Sequence, residues 1–410
     1  MKFYLAGQHN FGNRGCEALV RSVTGIVRER FPDAEFLVPT LDARLDGPQW
    51  PGMAARGGQF IAAPQHPAVI KWWNRLITRM PALLNVWEPK YTPGPEVMDA
   101  FARSDAVLMI GGDVISLDYG PGSLFMWSGL MDAAHRLGKP TMLFAASVGP
   151  FSASPVIERY MVRHLRRYSA ITVRETASLA YLKSLGIDNA VLVADPAFRL
   201  EPEPFALEAP YGGDNEGVLA FNVSPLIAGS WARKNPGGSL IAECAAFVRR
   251  VLDETRLGVA LLPHVDPLDG DPENSDSHFM TELLQACGGA SARLGLVRRG
   301  LNAAQLKHVV GSSRYLIAAR THATVAGWSQ QVPTTSIAYS IKARGLNQDL
   351  FDSLDYVLDT PKVSRDSLWE ALGALREREA PLREHLARRI PVWRDNAGRS
   401  GEVLARAVGA

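Results

Sequence analysis

Cysteine is scarce in this chain. Its 410 residues include only three, Cys16, Cys244 and Cys287, far apart and with no CxxC pair. That argues against a disulfide framework or a thiolate zinc site, and a reducing cytoplasm is the expected setting. An excess of either charge is missing too. With 44 basic and 42 acidic residues the formal net charge is +2, too balanced to advertise nucleic acid or an anionic membrane, so any anion site must be local. No apolar run approaches the roughly 18 residues of a membrane-spanning helix. The segment Met1–Gly7 enters an apolar strand directly, without the basic stretch, apolar core and cleavage site of a signal peptide. There is no short-period repeat and no low-complexity tract. The glycines after the first strand fit neither GxGxxG nor GxxxxGK[ST], which excludes NAD and Walker-type ATP binding there.

What is present points to an α/β protein. A chain of 410 residues exceeds one typical core, so two domains of about 200 residues are expected. Apolar runs of strand length recur at Phe3–Ala6, Phe36–Pro39, Ala106–Ile110, Thr141–Ala145, Ala170–Val173 and Val191–Val193. Helical patterns intervene at Ala18–Phe31, Leu124–Leu137, Val156–Tyr168 and Thr176–Leu185. This alternation predicts a doubly wound parallel sheet. Glu201–Gly217 is acidic, Pro- and Gly-rich and aperiodic, and reads as a linker. A second alternating block follows, with strands at Val218–Val223, Gly258–Leu262, Arg293–Leu296, Tyr315–Ala319 and Thr334–Ala338. Its helices are expected at Ser239–Thr255, Phe279–Ala286 and Asn302–Val310, the last capped by Asn302, with Asp269–Ser277 a polar loop. From Asp366 the chain is helical, broken at Pro381 and Pro391. The expected division is 1–205 for a first Rossmann-like domain, 217–375 for a second and 376–410 for a helical tail.

Candidate site residues fall at strand ends. Arg320 and His322 follow the run Tyr315–Ala319 and precede a helix rich in small residues. Open α/β sheets bind ligands at the carboxyl ends of their strands, and helix starts favour anions. A guanidinium and an imidazole two residues apart suit a phosphate or carboxylate that must also exchange a proton. If the chain is still extended there, the two side chains share a face. Asn13, Gly15 and Glu17 lie in a glycine-rich loop after the first strand, and Gly112 and Asp113 follow the third. Arg174 ends the fifth strand beside Glu175, with which it could simply pair. His264, Tyr339, Ser340 and Lys342 end strands of the second block. The region from Asp46 to Pro95 is rich in Pro, Gly and Trp. Its Trp72 and Trp73 could stack on sugar rings or pack the excursion onto its domain. His135, His164, His278 and His308 read as exposed, and Cys16 has no base near it in sequence to make it a nucleophile.

The ordered set Asn13–Ala18, Ile110–Asp113, Val173–Glu175 with Ser178, Leu262–His264, Arg320–His322 and Ala338–Lys342 resembles the polysaccharide pyruvyl transferase family, over about residues 7–350. The resemblance implies two Rossmann-like domains in a GT-B-like arrangement, with a C-terminal helical tail and a reaction cleft between the domains. It implies transfer of the enolpyruvyl group of phosphoenolpyruvate onto two hydroxyls of a sugar, as a cyclic pyruvate ketal. No metal or cofactor is expected, and the setting would be polysaccharide biosynthesis for the cell envelope. By the same resemblance Arg174 and Arg320 bind the phosphate and carboxylate, His322 is the general acid, and Lys342 and His264 lie at the cleft. Asp113 stands where the family often has a third glycine. The acceptor would be a hexose-type residue on a lipid-linked or nucleotide-linked precursor, contacted by the Asn13–Glu17 loop and the Trp-rich excursion.

Two other readings fit the architecture. A GT-B glycosyltransferase using a nucleotide sugar would also explain the two blocks, though no E-x₇-E pattern marks a nucleotide site. A sugar- or anion-binding module could use the same arginines and histidine without turnover.

Overall fold

The computed structural model describes residues 1–409, the side chain of Ile341 excepted. Both sheets are wholly parallel. The first contains β1 (Lys2–Ala6), β2 (Glu35–Thr40), β3 (Gly58–Ala62), β4 (Ala106–Met109), β5 (Thr141–Ala146), β6 (Ala170–Val173) and β7 (Ala190–Leu192), in the order β3-β2-β1-β4-β5-β6-β7. The second contains β8 (Val218–Asn222), β9 (Gly258–Leu261), β10 (Leu294–Leu296), β11 (Tyr315–Ala318), β12 (Thr334–Ala338) and β13 (Val357–Asp359), in the order β10-β9-β8-β11-β12-β13. The central strands β4, β5, β8 and β11 are buried along their whole length, as strands covered by helices on both faces must be. Strand order reverses between β1 and β4 in one sheet and between β8 and β11 in the other. Those are the positions where open α/β sheets open a crevice for ligands.

The chain forms two compact units that do not follow one cut in the sequence. One comprises Met1–Asn10, Leu19–Pro196 and the chain from Asp395 onward; the other comprises Phe11–Ala18 and Ala197–Arg394. The glycine-rich segment thus groups with the second sheet rather than the first, and the expected linker lies in the second unit. Asn13 pairs in an antiparallel bridge with Val265, and the Arg14 amide donates to the His264 carbonyl (3.2 Å).

Several local expectations are corrected. The helix expected from Ala18 begins at Arg14 and ends at Arg30. Its start is set by Asn13, whose side chain accepts from the Gly15 amide (2.9 Å) and whose carbonyl accepts from Cys16 (2.9 Å). The aperiodic Trp-rich region contains edge strand β3 and the helix Ala68–Arg79. A helix at Pro225–Lys234 was not anticipated, although Pro at its first position behind Ser224 is a start signal. Pro391 does not break the last helix, which runs Glu379–Ala407 around buried Leu386, Ile390, Ala397 and Leu404. Packing outweighs the one hydrogen bond that Pro391 cannot make. Pro381 sits in the first turn, where its missing amide costs nothing.

His135 and His164, expected to be exposed, gather around Asp132, His164 buried and His135 half-buried. The His164 Nδ1 is 2.8 Å and the Arg167 guanidinium 3.0 Å from the Asp132 carboxylate, which also accepts from the Tyr160 hydroxyl (2.9 Å). The His135 Nε2 reaches the Thr141 hydroxyl (2.8 Å). Trp72 and Trp73 part company. Trp73 is fully buried, edge-on to Phe125 (centroids 4.9 Å apart), with its indole N–H donating to the Trp87 carbonyl (2.9 Å). It is core and cannot touch an acceptor. Trp72 is 62% exposed.

Two outcomes follow from this packing. Trp73→Ala should cost about 3–5 kcal/mol in denaturant unfolding, whereas Trp72→Ala should change it by about 0.5 kcal/mol or less. The second outcome concerns pH. Burial lowers His9 to about 4, and lowers His135 and, far more, His264. In each case the folded pKa lies below the unfolded one. The stability is therefore complete above about pH 6.5 and declines as the pH falls, because the unfolded chain takes up protons that the folded chain refuses. Each group contributes a slope of up to ~1.4 kcal/mol per pH unit, ending at its folded pKa. Unfolding free energy should drop measurably between pH 7 and 5, and His9→Gln should reduce the drop.

Candidate functional site

In the second unit the site grows from the ends of β8 and β11. Asn222, the last residue of β8, is fully buried, and its carboxamide oxygen accepts from the backbone amides of Ala319 (3.2 Å) and Arg320 (2.9 Å). This clamps the exit of β11. Arg320 then takes an extended conformation (φ −88°, ψ 122°), and the helix Thr321–Ser329 starts immediately after it. His322 is therefore in the first helical turn, not on an extended strand sharing a face with Arg320 as the spacing suggested. The two residues still lie at one helix start.

Arg320 is held by Asp276. Its Nη2 donates to Oδ1 at 2.8 Å, and its Nε stands 3.3 Å from both carboxylate oxygens. The fully buried Asp276 also accepts from the backbone amides of His264 and Val265, both at 3.0 Å. Sequence reasoning missed it, placing it in a polar loop. It is the first residue of the helix Asp276–Ala286, and the signal available was Ser275, whose side chain accepts from the His278 amide (3.1 Å). Asp276 grips one edge of the guanidinium, and among the described residues Nη1 has no hydrogen-bond partner.

The segment Phe11–Ala18 supplies the opposite wall. A Cβ placed on Gly15 would lie 2.3 Å from the His322 Nδ1 and 2.8 Å from its Cγ, so the bare backbone of Gly15 is in contact with the imidazole. Glu17, fully buried, accepts from the Ala303 amide (2.9 Å) at the start of the helix Ala303–Gly311 and lies 3.9 Å from the buried Arg14 guanidinium. These contacts tie Glu17 to the second unit's helix start. His264 is buried among positive groups. Desolvation first, then His322, Arg320 and Arg14, keep its imidazole neutral. Its loop is braced by Asp266, which accepts from Ser277 (2.9 Å) and pairs with Arg299 (2.8 Å).

Three helix starts stand behind adjacent strand ends: Pro225 after β8, Thr321 after β11 and Ile341 after β12. The residues before the first and third, Ser224 and Ser340, have buried hydroxyls without a hydrogen-bond partner among the described residues. Tyr339 is half-buried, and Lys342 is buried in the first turn of the helix Ile341–Phe351. Of the landmark Ala338–Lys342, the Ile341 side chain lies outside the described residues. Helix amino termini, hydroxyl donors, a lysine and an arginine together make a setting for an anion.

In the first unit, the candidates Gly112, Asp113 and Arg174 gather after β4 and β6. The backbones of Gly7 and Gly111 approach so closely that a Cβ on Gly7 would meet the Gly111 nitrogen at 2.4 Å. Gly7 also has φ +102°, a conformation that side chains resist. Gly112 underlies the Arg174 guanidinium, 2.5 Å from a hypothetical Cβ. Arg174 is buried, donating from Nη1 to Asp195 (2.6 Å) and from Nε to the Ser147 hydroxyl (2.9 Å), with Glu175 at 3.8 Å. Asp113 accepts from the Tyr119 hydroxyl (2.9 Å). Pairing of Arg174 with neighbouring acids, one of the two readings its sequence position allowed, is what the geometry contains.

Among solved structures, a putative UDP-N-acetylglucosamine 2-epimerase from Listeria monocytogenes aligns with TM-score 0.61 at 11% identity, over 97% of this chain and 93% of its own. The Neisseria meningitidis UDP-GlcNAc 2-epimerase bound to UDP-GlcNAc aligns with TM-score 0.58 at 10% identity, over 99% and 98%. The calicheamicin glycosyltransferase CalG4 gives TM-score 0.54 at 13% identity, over 100% and 98%. At such identities these likenesses establish the fold, the α/β fold of GT-B epimerases and glycosyltransferases. The profile of one family, polysaccharide pyruvyl transferase, matches residues 13–341, a span that starts at the Asn13 cap and takes in Arg174, His264, Arg320 and His322. The chain belongs to the polysaccharide pyruvyl transferase family.

Proposed function

We propose that this enzyme transfers the enolpyruvyl group of phosphoenolpyruvate onto two hydroxyls of one sugar residue, forming a pyruvate ketal and releasing phosphate. The observation that carries this reading is the pairing of an Asp276-braced Arg320 with His322 at one helix start on the carboxyl edge of the second sheet. Arg320 Nη1, the amides of the helix starts, the Ser224 and Ser340 hydroxyls and Lys342 offer donors for a phosphate and a carboxylate. His322 delivers a proton to the methylene carbon, which becomes the methyl group and leaves an oxocarbenium centre at the adjacent carbon. One sugar hydroxyl attacks that carbon and loses its proton, which restores the acid. The carbon–oxygen bond to phosphate then breaks, and the second hydroxyl closes the ring as its own proton leaves with phosphate. A bound dianion favours the charged imidazolium, so donor binding and acid competence are coupled. The acceptor we propose is a hexose-type residue on a lipid-linked or nucleotide-linked precursor, and the site of action the cytoplasm. No metal or cofactor enters this scheme.

Thermal shift and calorimetry with phosphoenolpyruvate, UDP and UDP-sugars test the donor. Phosphoenolpyruvate at 100 times its Kd should add about 2.7 kcal/mol of stability. Stabilisation by UDP but not by phosphoenolpyruvate would replace this reading with nucleotide-sugar transfer. Arg320→Ala should weaken donor binding by about 1.5–3 kcal/mol. Pyruvylation of acceptors in a glycan extract, followed by mass spectrometry, should fall about 10²-fold or more in rate for His322→Gln, with donor affinity changed only modestly.

Gly15→Ala separates chemistry from folding. Alanine is favoured over glycine in a helix by roughly 0.5–1 kcal/mol, yet its methyl group must displace the His322 imidazole. The variant should keep wild-type stability and donor affinity while its turnover falls. Unimpaired turnover would remove His322 from its place beside Gly15.

A further inference from the structure

The charge balance of the whole chain conceals a local excess. From Gly47 to Trp87 there is no Asp or Glu, while Arg56, Lys71, Arg75 and Arg79 are basic. Three of these cations are on the helix Ala68–Arg79, which buries Ile70, Trp73 and Ile77 along one stripe. At 100° per residue, Trp72, Arg75 and Arg79 project from the opposite side, with Lys71 and Leu76 flanking them. The Arg75 guanidinium lies over the Trp72 ring, 5.3 Å from its centroid. Beyond the helix the chain turns through Pro81–Asn85 and exposes more apolar surface: Met80 is 55%, Val86 80% and Trp87 36% exposed. The bond from the Trp73 indole to the Trp87 carbonyl fastens this turn to the helix (2.9 Å). Glu88, the first acid after the segment, is already paired with Arg163 (2.6 Å).

We infer that this face docks on an anionic phospholipid membrane. A tryptophan, a methionine and a valine held outward beside three cations combine the two attractions of an interfacial element, apolar insertion and headgroup charge. Long basic side chains can reach phosphates while their stems and the apolar residues enter the hydrocarbon boundary. A nucleic acid would use the cations and the tryptophans but leave Met80 and Val86 in water. A second copy in a two-fold dimer would set the basic stripe against itself. The inference does not rest on the reaction proposed above, and its test involves no donor or acceptor.

Flotation with vesicles of phosphatidylcholine alone or with about a third phosphatidylglycerol decides it. The full chain should bind the anionic vesicles, bind neutral ones at least tenfold more weakly, and dissociate as salt is raised. Met80→Ser with Val86→Ser, and separately Arg75→Glu with Arg79→Glu, should each lower partitioning about tenfold or more. All four positions are exposed, so melting curves should be unchanged. Absence of wild-type binding at low salt would overturn the inference. So would full binding by the serine variant, which would reduce the face to a charge patch. A wild-type dimer in sedimentation velocity that either variant abolishes would assign the face to a second copy instead.

Discussion

The second unit's candidate site depends on one buried carboxylate. Asp276 accepts from the Arg320 side chain, from the His264 and Val265 amides and from the Asn222 carboxamide at 3.4 Å. These partners stand at the exits of β8, β9 and β11. An unpaired charge in that position would be far too costly to keep dry, and here the cost is met by a guanidinium and two amides. The same contacts that satisfy Asp276 fix the strand exits relative to one another and orient Arg320. Stability and positioning cannot be separated at this residue. A single change there disturbs a core hydrogen-bond network and the aim of the Arg320 guanidinium together.

The first unit uses the opposite device, with space removed instead of charge added. Gly7 and Gly111 let the ends of β1 and β4 touch through bare backbone, and Gly112 lets Arg174 lie flat on the chain. The arginine is then surrounded by Asp195, Glu175 and Ser147. Both units therefore carry an arginine–carboxylate pair near the strand-order reversal of their sheets. They differ in access: the Arg174 side chain is almost sealed, and that of Arg320 is more exposed.

The sheet strands were legible wherever an apolar run was bounded by polar or glycine residues, as at Ala106, Ala170 and Tyr315, because burial on both faces leaves a continuous apolar signature. Edge strand β3 was not, since its half-exposed GQFIA lacks that signature. Helix starts were placed late at Arg14 and Asp276, where the cap is a short polar residue within a run that reads as loop. The candidate residues Arg320, His322 and His264 could be named from position alone. Their partners could not, because Asp276 and Asn222 are brought in from other strand exits, and sequence order says nothing about which exits adjoin. The grouping of Asn13–Glu17 with the second sheet was equally hidden. The bridge to Val265, the Glu17–Ala303 bond and the contact of Gly15 with His322 reveal it.

The way the units share the chain bears on synthesis. The first unit holds the amino-terminal strand yet also includes the residues from Asp395 onward. There Gly401 packs on the Ile26 carbonyl, 3.1 Å from its would-be Cβ, Val403 and Leu404 are buried, and Glu402 pairs with Arg30 (2.7 Å). A ribosome making this protein delivers β1 well before the segment that completes its unit, with Ala197–Arg394 of the second unit made in between. The first unit must wait, partly uncovered, while that stretch is synthesised. Nascent chains would present the surface around Ile26 to chaperones until then.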